Sequence, residues 1–411
     1  LRNVEPPKAL NTWENSSITK EIKARIKMRN HEKEKNCEKF YSDEENSEES
    51  SESCESSSSS SSLGSSADSG SESDDRKLAQ LRGPRFAAGG AIETAAPMKL
   101  DGTFALHPAL AQIRKMYADK EATFFHAVAS PYRDRSHFDG QNVLESGSKI
   151  PYQLKTGWMN RLLSLLPRDG KEAIAFSSAV PLALQGTYDV TTYAPSSLPE
   201  ANEDLLMRVQ QLYATDRQLN PLWTSALEAR GMASGQMQGG DKRQNDAALG
   251  KIAAGFLANP KGPRVAMIET SGWDTHSGQN ERLDRQLRGL DALIGGLKEG
   301  MGSAWSKTVV LVATEFGRTV AANGTGGTDH GTASAAMLLG GAVQGGRIVS
   351  DWLGLASSNL FEGRDLQPTL DLDVLISSVC AQAFQLDTEL AQKMMFPYAT
   401  GKKSMAPLLR S

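Results

Sequence analysis

From Met98 onward, short apolar runs alternate with stretches of helical period. Thr123–Val128 (TFFHAV), Ala173–Phe176 (AIAF), Arg264–Ile268 (RVAMI), Thr308–Ala313 (TVVLVA) and Ala336–Leu339 (AMLL) are continuous short runs that read as strands buried on both faces. Ala109–Ala118, Trp158–Leu166, Asn202–Ala229, Ala247–Leu257, Gln279–Met301 and Leu372–Phe384 space their apolar residues three and four apart, which predicts helices. Strands interleaved with helices indicate an α/β domain with a parallel-rich sheet flanked by helices on both faces. The stretch 202–257 carries no strand pattern and predicts a helical insertion beside the sheet. No internal repeat is visible.

Before Met98 the texture is different. Residues 16–30 set Ile18, Ile22 and Ile26 on one helical face among Lys and Arg, the pattern of a short basic amphipathic helix or of a marginal helix at the edge of a disordered segment. Phe40 to Asp75 holds no Lys or Arg and includes an unbroken run from Ser56 to Ser62. Such a segment has too little apolar surface to offset its ordering entropy, so disorder is expected. Ser42, Ser69 and Ser71 each have an acid three residues later, a spacing that suits acid-directed kinases and a tail that binds a protein partner. The pattern divides the chain into a Ser/acid-rich tail over 1–84, a junction over 85–97 and a folded domain over 98–411.

Charge and composition add exclusions. Over 411 residues the formal net charge is −4, so nothing global points to nucleic acid. No run approaches the ~20 apolar residues of a membrane span, and residues 1–5 show no basic-then-apolar export pattern. The three cysteines, Cys37, Cys54 and Cys380, form neither a disulfide framework nor a zinc pattern, and Cys380 reads as a small core residue.

The chemistry gathers where strands end, as expected of open α/β sheets. Pro131–Asp139 follows the first long strand, Glu269–His276 follows Ile268, Thr314–Thr319 follows Ala313, and Gly326–Gly331 precedes Ala336. His137, His276 and His330 each lie within two residues of an Asp in these loops. Imidazole with carboxylate is the ligand set of Zn²⁺ or a related divalent metal, and the alternative for each pair is a loop-capping cluster. Asp274, His276, Glu315, Asp329 and His330 are the candidate ligands, expected to converge on one pocket. Arg318 suits an anionic ester or an ion pair with Glu315. Ser136, beside His137, is a candidate nucleophile or a cap. His107 and His126 sit among apolar residues and read as core histidines.

Arg135-Ser136-His137-Phe138-Asp139, Gly272-Trp273-Asp274-Thr275-His276, Thr314-Glu315-Phe316-Gly317-Arg318-Thr319 and Gly327-Thr328-Asp329-His330-Gly331, followed by Leu339-Gly340-Gly341, resemble in this order the signatures of the DUF1501 family. The resemblance runs from about Leu100 to Phe396-Pro397. It implies an alkaline-phosphatase/sulfatase-like core with metal ligands at the carboxyl edge of the sheet, and family members usually carry a twin-arginine signal for export to the periplasm. It also implies an LRGG-x-DGL segment whose Asp is an early metal ligand. Here Leu81-Arg82-Gly83 is followed by Pro84 to Gly90 without an Asp, so an impaired site is expected.

Two functions follow as expectations. One is a metal-dependent hydrolase of phosphate or sulfate esters, with Ser136, His137 and Arg318 as catalytic residues, acting on an anionic small-molecule or glycan ester. The other is a non-catalytic binding protein on the same fold, with a phosphorylatable acidic interaction tail.

Overall fold

The computed structural model describes residues 96–168, 172–194, 203–234, 246–399 and 401–410. The expected tail over 1–84, its amphipathic helix, its serine sites and the segment lacking the Asp lie outside the described residues, as does most of the 85–97 junction.

Ten strands are described: β1 Met98–Lys99, β2 Ala105–Leu106, β3 Ala122–Ala129, β4 Ala173–Phe176, β5 Thr191–Thr192, β6 Val265–Ile268, β7 Val310–Val312, β8 Ser334–Leu339, β9 Arg347–Val349 and β10 Leu370–Asp371. The expected runs reappear as β3, β4, β6, β7 and β8. β1 and β2 form an antiparallel pair. β5, β4 and β6 form an all-parallel sheet in that order. The larger sheet runs β10-β3-β8-β7, with β9 also paired to β3.

In this larger sheet the expected parallel pairing holds only in part. β10 and β9 run parallel to β3, but β8 runs antiparallel to both β3 and β7. A loop preceding a parallel strand would lie at the amino edge, away from the other motifs. Reversal of β8 puts its start, and Gly326–Gly331 before it, beside the ends of β3 and β7. The connection from β7 to β8 continues the antiparallel pairing: Gly317 N donates to Thr332 O at 3.0 Å, Gly331 N to Gly317 O at 2.8 Å and Thr319 N to Asp329 O at 2.9 Å.

Side chains along these strands alternate between two apolar layers. Phe124, Val310, Val312, Met337 and Leu339 join one core; Phe125, Leu311, Ala336 and Leu338 join the other. Both faces are covered, which is why the runs are continuously apolar rather than alternating with polar residues. The first core is closed by helices Ala111–Ala118, Asp246–Leu257 and Gln279–Met301, the second by Leu372–Phe384 and Thr388–Met395. β4 repeats the device: Ile174 and Phe176 face the first core, Ala173 and Ala175 a third one under helix Trp158–Leu163. Helices Asp246–Leu257 and Gln279–Met301 approach closely at glycine, since a Cβ on Gly250 would stand 2.1 Å from Leu293 O.

Three local readings change. The stretch expected as one helix over 202–229 is two, Glu203–Tyr213 and Leu219–Ser234. Asp216 divides them, its Oδ1 accepting the backbone N–H of Gln218 and of Leu219 at 2.8 Å each, a competing local bond that ends one helix and starts the next. A helix, His137–Ser146, begins inside the segment read as a loop after β3, and Thr388–Met395 adds another. Cys380 packs against the second core, where burial pushes its thiol up to about 12.

Candidate metal centre

The end of β3 carries a bulge between Phe125 and Val128, with Ala127 at φ 58°, which redirects the chain toward Ser130–Ser136. Helix His137–Ser146 then opens with its first residue in the site. The loop after β6 delivers Asp274 and His276. The extension of the β7–β8 ladder delivers Glu315, Arg318, Asp329 and His330, with Arg318 directly opposite His330. Thr328 N donates to Thr275 O at 3.1 Å, stitching the two loops together. Gly327 makes this approach possible: a Cβ there would lie 2.1 Å from the carbonyl of His276.

Asp274 is the hub. Its Oδ1 stands 3.0 Å from His276 Nε2, 3.2 Å from His330 Nε2 and 2.6 Å from Arg318 Nη1, while Oδ2 stands 3.5 Å from His137 Nε2. Burial works against ionisation of Asp274. The Arg318 hydrogen bond, the charge of His276 and the His330 hydrogen bond outweigh it and bring the pKa down to about 2.

Each histidine is oriented through its other nitrogen. His137 Nδ1 is 2.7 Å from Glu315 Oε1, His276 Nδ1 is 3.2 Å from Asp329 Oδ1, and His330 Nδ1 is 2.8 Å from the carbonyl oxygen of Arg135. All three partners are acceptors, so a cation bound among the Nε2 atoms would leave each Nδ1 as the protonated nitrogen and take the lone pair of each Nε2. The three Nε2 atoms turn toward Asp274. His276 Nε2 and His330 Nε2 are 2.9 Å apart, and His137 Nε2 is buried without a hydrogen-bond partner among the described residues.

Atoms of His137, Asp274 and His330 all lie within 4.8 Å of one another, and His276 stands against two of them. Tetrahedral ligands about 2.0–2.1 Å from zinc are roughly 3.3 Å apart, so the spacing suits an ion of that size. Converging lone pairs repel one another, and a cation at their centre removes that repulsion. The donor set therefore fits a divalent metal.

All five residues expected as ligands occur in this one pocket. Asp274, His276 and His330 stand at its centre. Glu315 and Asp329 are held on the Nδ1 sides of His137 and His276, where a carboxylate orients the imidazole. Arg318 pairs with Asp274 rather than with Glu315. Its Nε also donates to Thr328 Oγ1 at 3.1 Å, and Nη2 to Thr328 O. Asn323 Nδ2, 3.1 Å from Asp329 Oδ1, leads the causes that lower the Asp329 carboxyl, followed by His276. Ser136 occupies the cap position before helix His137–Ser146, where its hydroxyl makes no capping bond.

Several supporting residues escaped the sequence reading. Gln279 Oε1 accepts the hydroxyls of Thr275 and Thr328 at 2.8 and 2.6 Å. Fully buried Asp365 holds Arg135, whose carbonyl in turn holds His330; Asp365 Oδ2 is 2.7 Å from Arg135 Nε and 2.8 Å from Thr332 Oγ1. Asp365 carries no local signal, since it lies in a short mixed stretch, Glu362-Gly363-Arg364-Asp365, without a His or a recognisable motif. Of the two described histidines outside the site, His107 is satisfied, its Nδ1 accepting Ala109 N at 3.2 Å. His126 lies between the rings of Phe104 and Trp352, but its buried Nδ1 has no partner among the described residues.

No curated protein and no solved structure matches the chain. Residues 99–395 match the family described as "Protein of unknown function (DUF1501)". That span contains every loop that builds the histidine cluster, and the chain belongs to the DUF1501 family.

Proposed function

We propose that this domain is a metal-dependent hydrolase of phosphate or sulfate esters on an alkaline-phosphatase/sulfatase-like core. The observation that carries the reading is the orientation of three histidines, each with Nδ1 against an acceptor and Nε2 turned toward the Asp274 carboxylate. His137, His276, His330 and Asp274 would hold a divalent cation of the zinc type. Such an ion polarises an ester oxygen and lowers the pKa of water when bound.

The chain's own residues divide the remaining work. Glu315 and Asp329 keep two imidazoles in the ligating tautomer. Arg318, fixed by Asp274 and Thr328, presents a guanidinium edge to the anionic oxygens of the ester. Ser136 supplies a hydroxyl nucleophile at a helix N-terminus, where the macrodipole favours developing negative charge. A second reading, a binding protein without turnover, is favoured by one sequence feature: the missing Asp after Leu81-Arg82-Gly83.

Metal content of the purified chain, together with turnover of an aryl phosphate and an aryl sulfate, separates the two. Bound metal and turnover, both reduced by the missing Asp after Leu81-Arg82-Gly83 and reduced much further in Asp274→Asn, are expected. Metal without turnover of either ester would favour the binding protein, and absence of metal would sink both forms of the site.

A further inference from the structure

Helix His137–Ser146 serves a second cavity. His137, Gln141 and Glu145 recur at four-residue intervals and therefore share one helix face. His137 meets the histidine cluster. One turn on, Gln141 borders a broad, open cleft of about 370 Å3, also lined by Phe138, Glu145, Glu269 and the segment Ser177–Leu182. Glu269 enters from the other side: it directly follows β6 and begins the loop that ends in Asp274 and His276. The same two elements thus build both pockets.

The cavity is anionic. Gln141 Nε2 stands 2.7 Å from Glu145 Oε1 and 3.3 Å from Glu269 Oε1, so one neutral amide bridges two carboxylates. Glu145 is buried, and its second oxygen accepts Ala183 N at 2.9 Å, which locks it in place. Among the described lining residues there is no Lys, Arg or His to offset the pair. Desolvation, and then the neighbouring Glu145, raise the pKa of Glu269, as expected of a negative site without a counter-charge. At the lip stands Phe138, 81% exposed, with its ring open to solvent. An exposed aromatic face beside two carboxylates attracts an organic cation through both the ring quadrupole and Coulomb attraction.

We propose that this cavity is a subsite for a positively charged amine or ammonium group, so that the substrate class is a phosphate or sulfate ester whose alcohol carries a cation. Four to eight helical residues separate His137 from Gln141 and Glu145, about 6–12 Å along the axis, which sets the distance between ester and cation. The ester half rests on the hydrolase reading above; the cation half rests on the cavity alone.

The test is titration calorimetry of the full chain with choline and with its neutral isostere 3,3-dimethylbutan-1-ol. Saturable choline binding at least about 10-fold tighter than the alcohol is expected. Glu269→Gln, a near-isosteric change that removes only the charge, should weaken choline about 10-fold or more, and Phe138→Ala about 2- to 5-fold. Choline binding no tighter than the alcohol, or unchanged by Glu269→Gln, overturns the proposal. Turnover of an aryl phosphate without a cationic group is measured separately. Choline binding without turnover would leave the cation subsite standing and defeat the hydrolase reading; turnover without choline binding would do the reverse.

Discussion

The strands and the loops at their ends follow opposite rules. In β3, β7 and β8 neighbouring residues turn to opposite apolar layers, and contacts are numerous and interchangeable in kind. In the loops, polar atoms meet in single, directed contacts: Asp274 Oδ1 alone meets His276, His330 and Arg318. The core stabilises by area and can lose a contact gradually. The histidine cluster depends on the placement of a few atoms, and one substitution there removes chemistry while leaving most buried area untouched.

The largest expected effect breaks the comparison on the core side. Phe125 is fully buried in the second core, and Phe125→Ala should cost about 3–5 kcal/mol in chemical denaturation. On the loop side, Asp274→Asn should lower metal affinity at least ~100-fold, about 2.7 kcal/mol, with little change in the denaturation midpoint of the metal-free chain. A loss of folding stability as large as that of Phe125→Ala would show that the hub is structural. Glu315→Gln sharpens the contrast between ligand and orienting residue: it should cost about 10- to 100-fold in metal affinity, with the ion still bound at saturation.

A pH effect comes from the core side. Burial pushes the Asp373 carboxyl up to about 7, against Lys402 and Arg133 and with Asp371. The unfolded chain ionises this group near its ordinary value of 3.8, so between about pH 4 and 7 the folded state holds the extra proton. Stability contributed here is present below that window, falls as pH rises through it and levels off above about 7. The slope is at most about 1.4 kcal/mol per pH unit, and Asp373→Asn should flatten it. The smallest effect is Asp387→Ala. It removes the 2.8 Å bond from Leu390 N that caps helix Thr388–Met395, and should cost about 1 kcal/mol by thermal melting.

Much of the interior could be read from the residues alone. Helices Gln279–Met301 and Leu372–Phe384 keep the expected bounds because a long apolar stripe at helical period has only one way to be buried. Helix His137–Ser146 was not legible: its polar residues at 137, 141 and 145 face two pockets rather than solvent, so they blur the stripe that marks a helix. The split at Asp216 was hidden for a related reason, because one side-chain oxygen outweighs the propensity of its neighbours.

Local pattern by itself determined that the region after Met98 is an α/β domain, that its strands are buried on both faces, and that histidines and carboxylates gather in the loops between them. These are properties of period and spacing, which neighbouring residues carry within a single element. The direction of β8, the pairing of Arg318 with Asp274, the support that Asp365 gives His330 through Arg135, and the second pocket behind Glu269 were decided only by tertiary structure. Each joins residues far apart in the chain, and the antiparallel turn between β7 and β8 brings two of the histidine-site motifs face to face. Hydrophobic periodicity says which face of a strand is buried but carries no information about which way its neighbour runs.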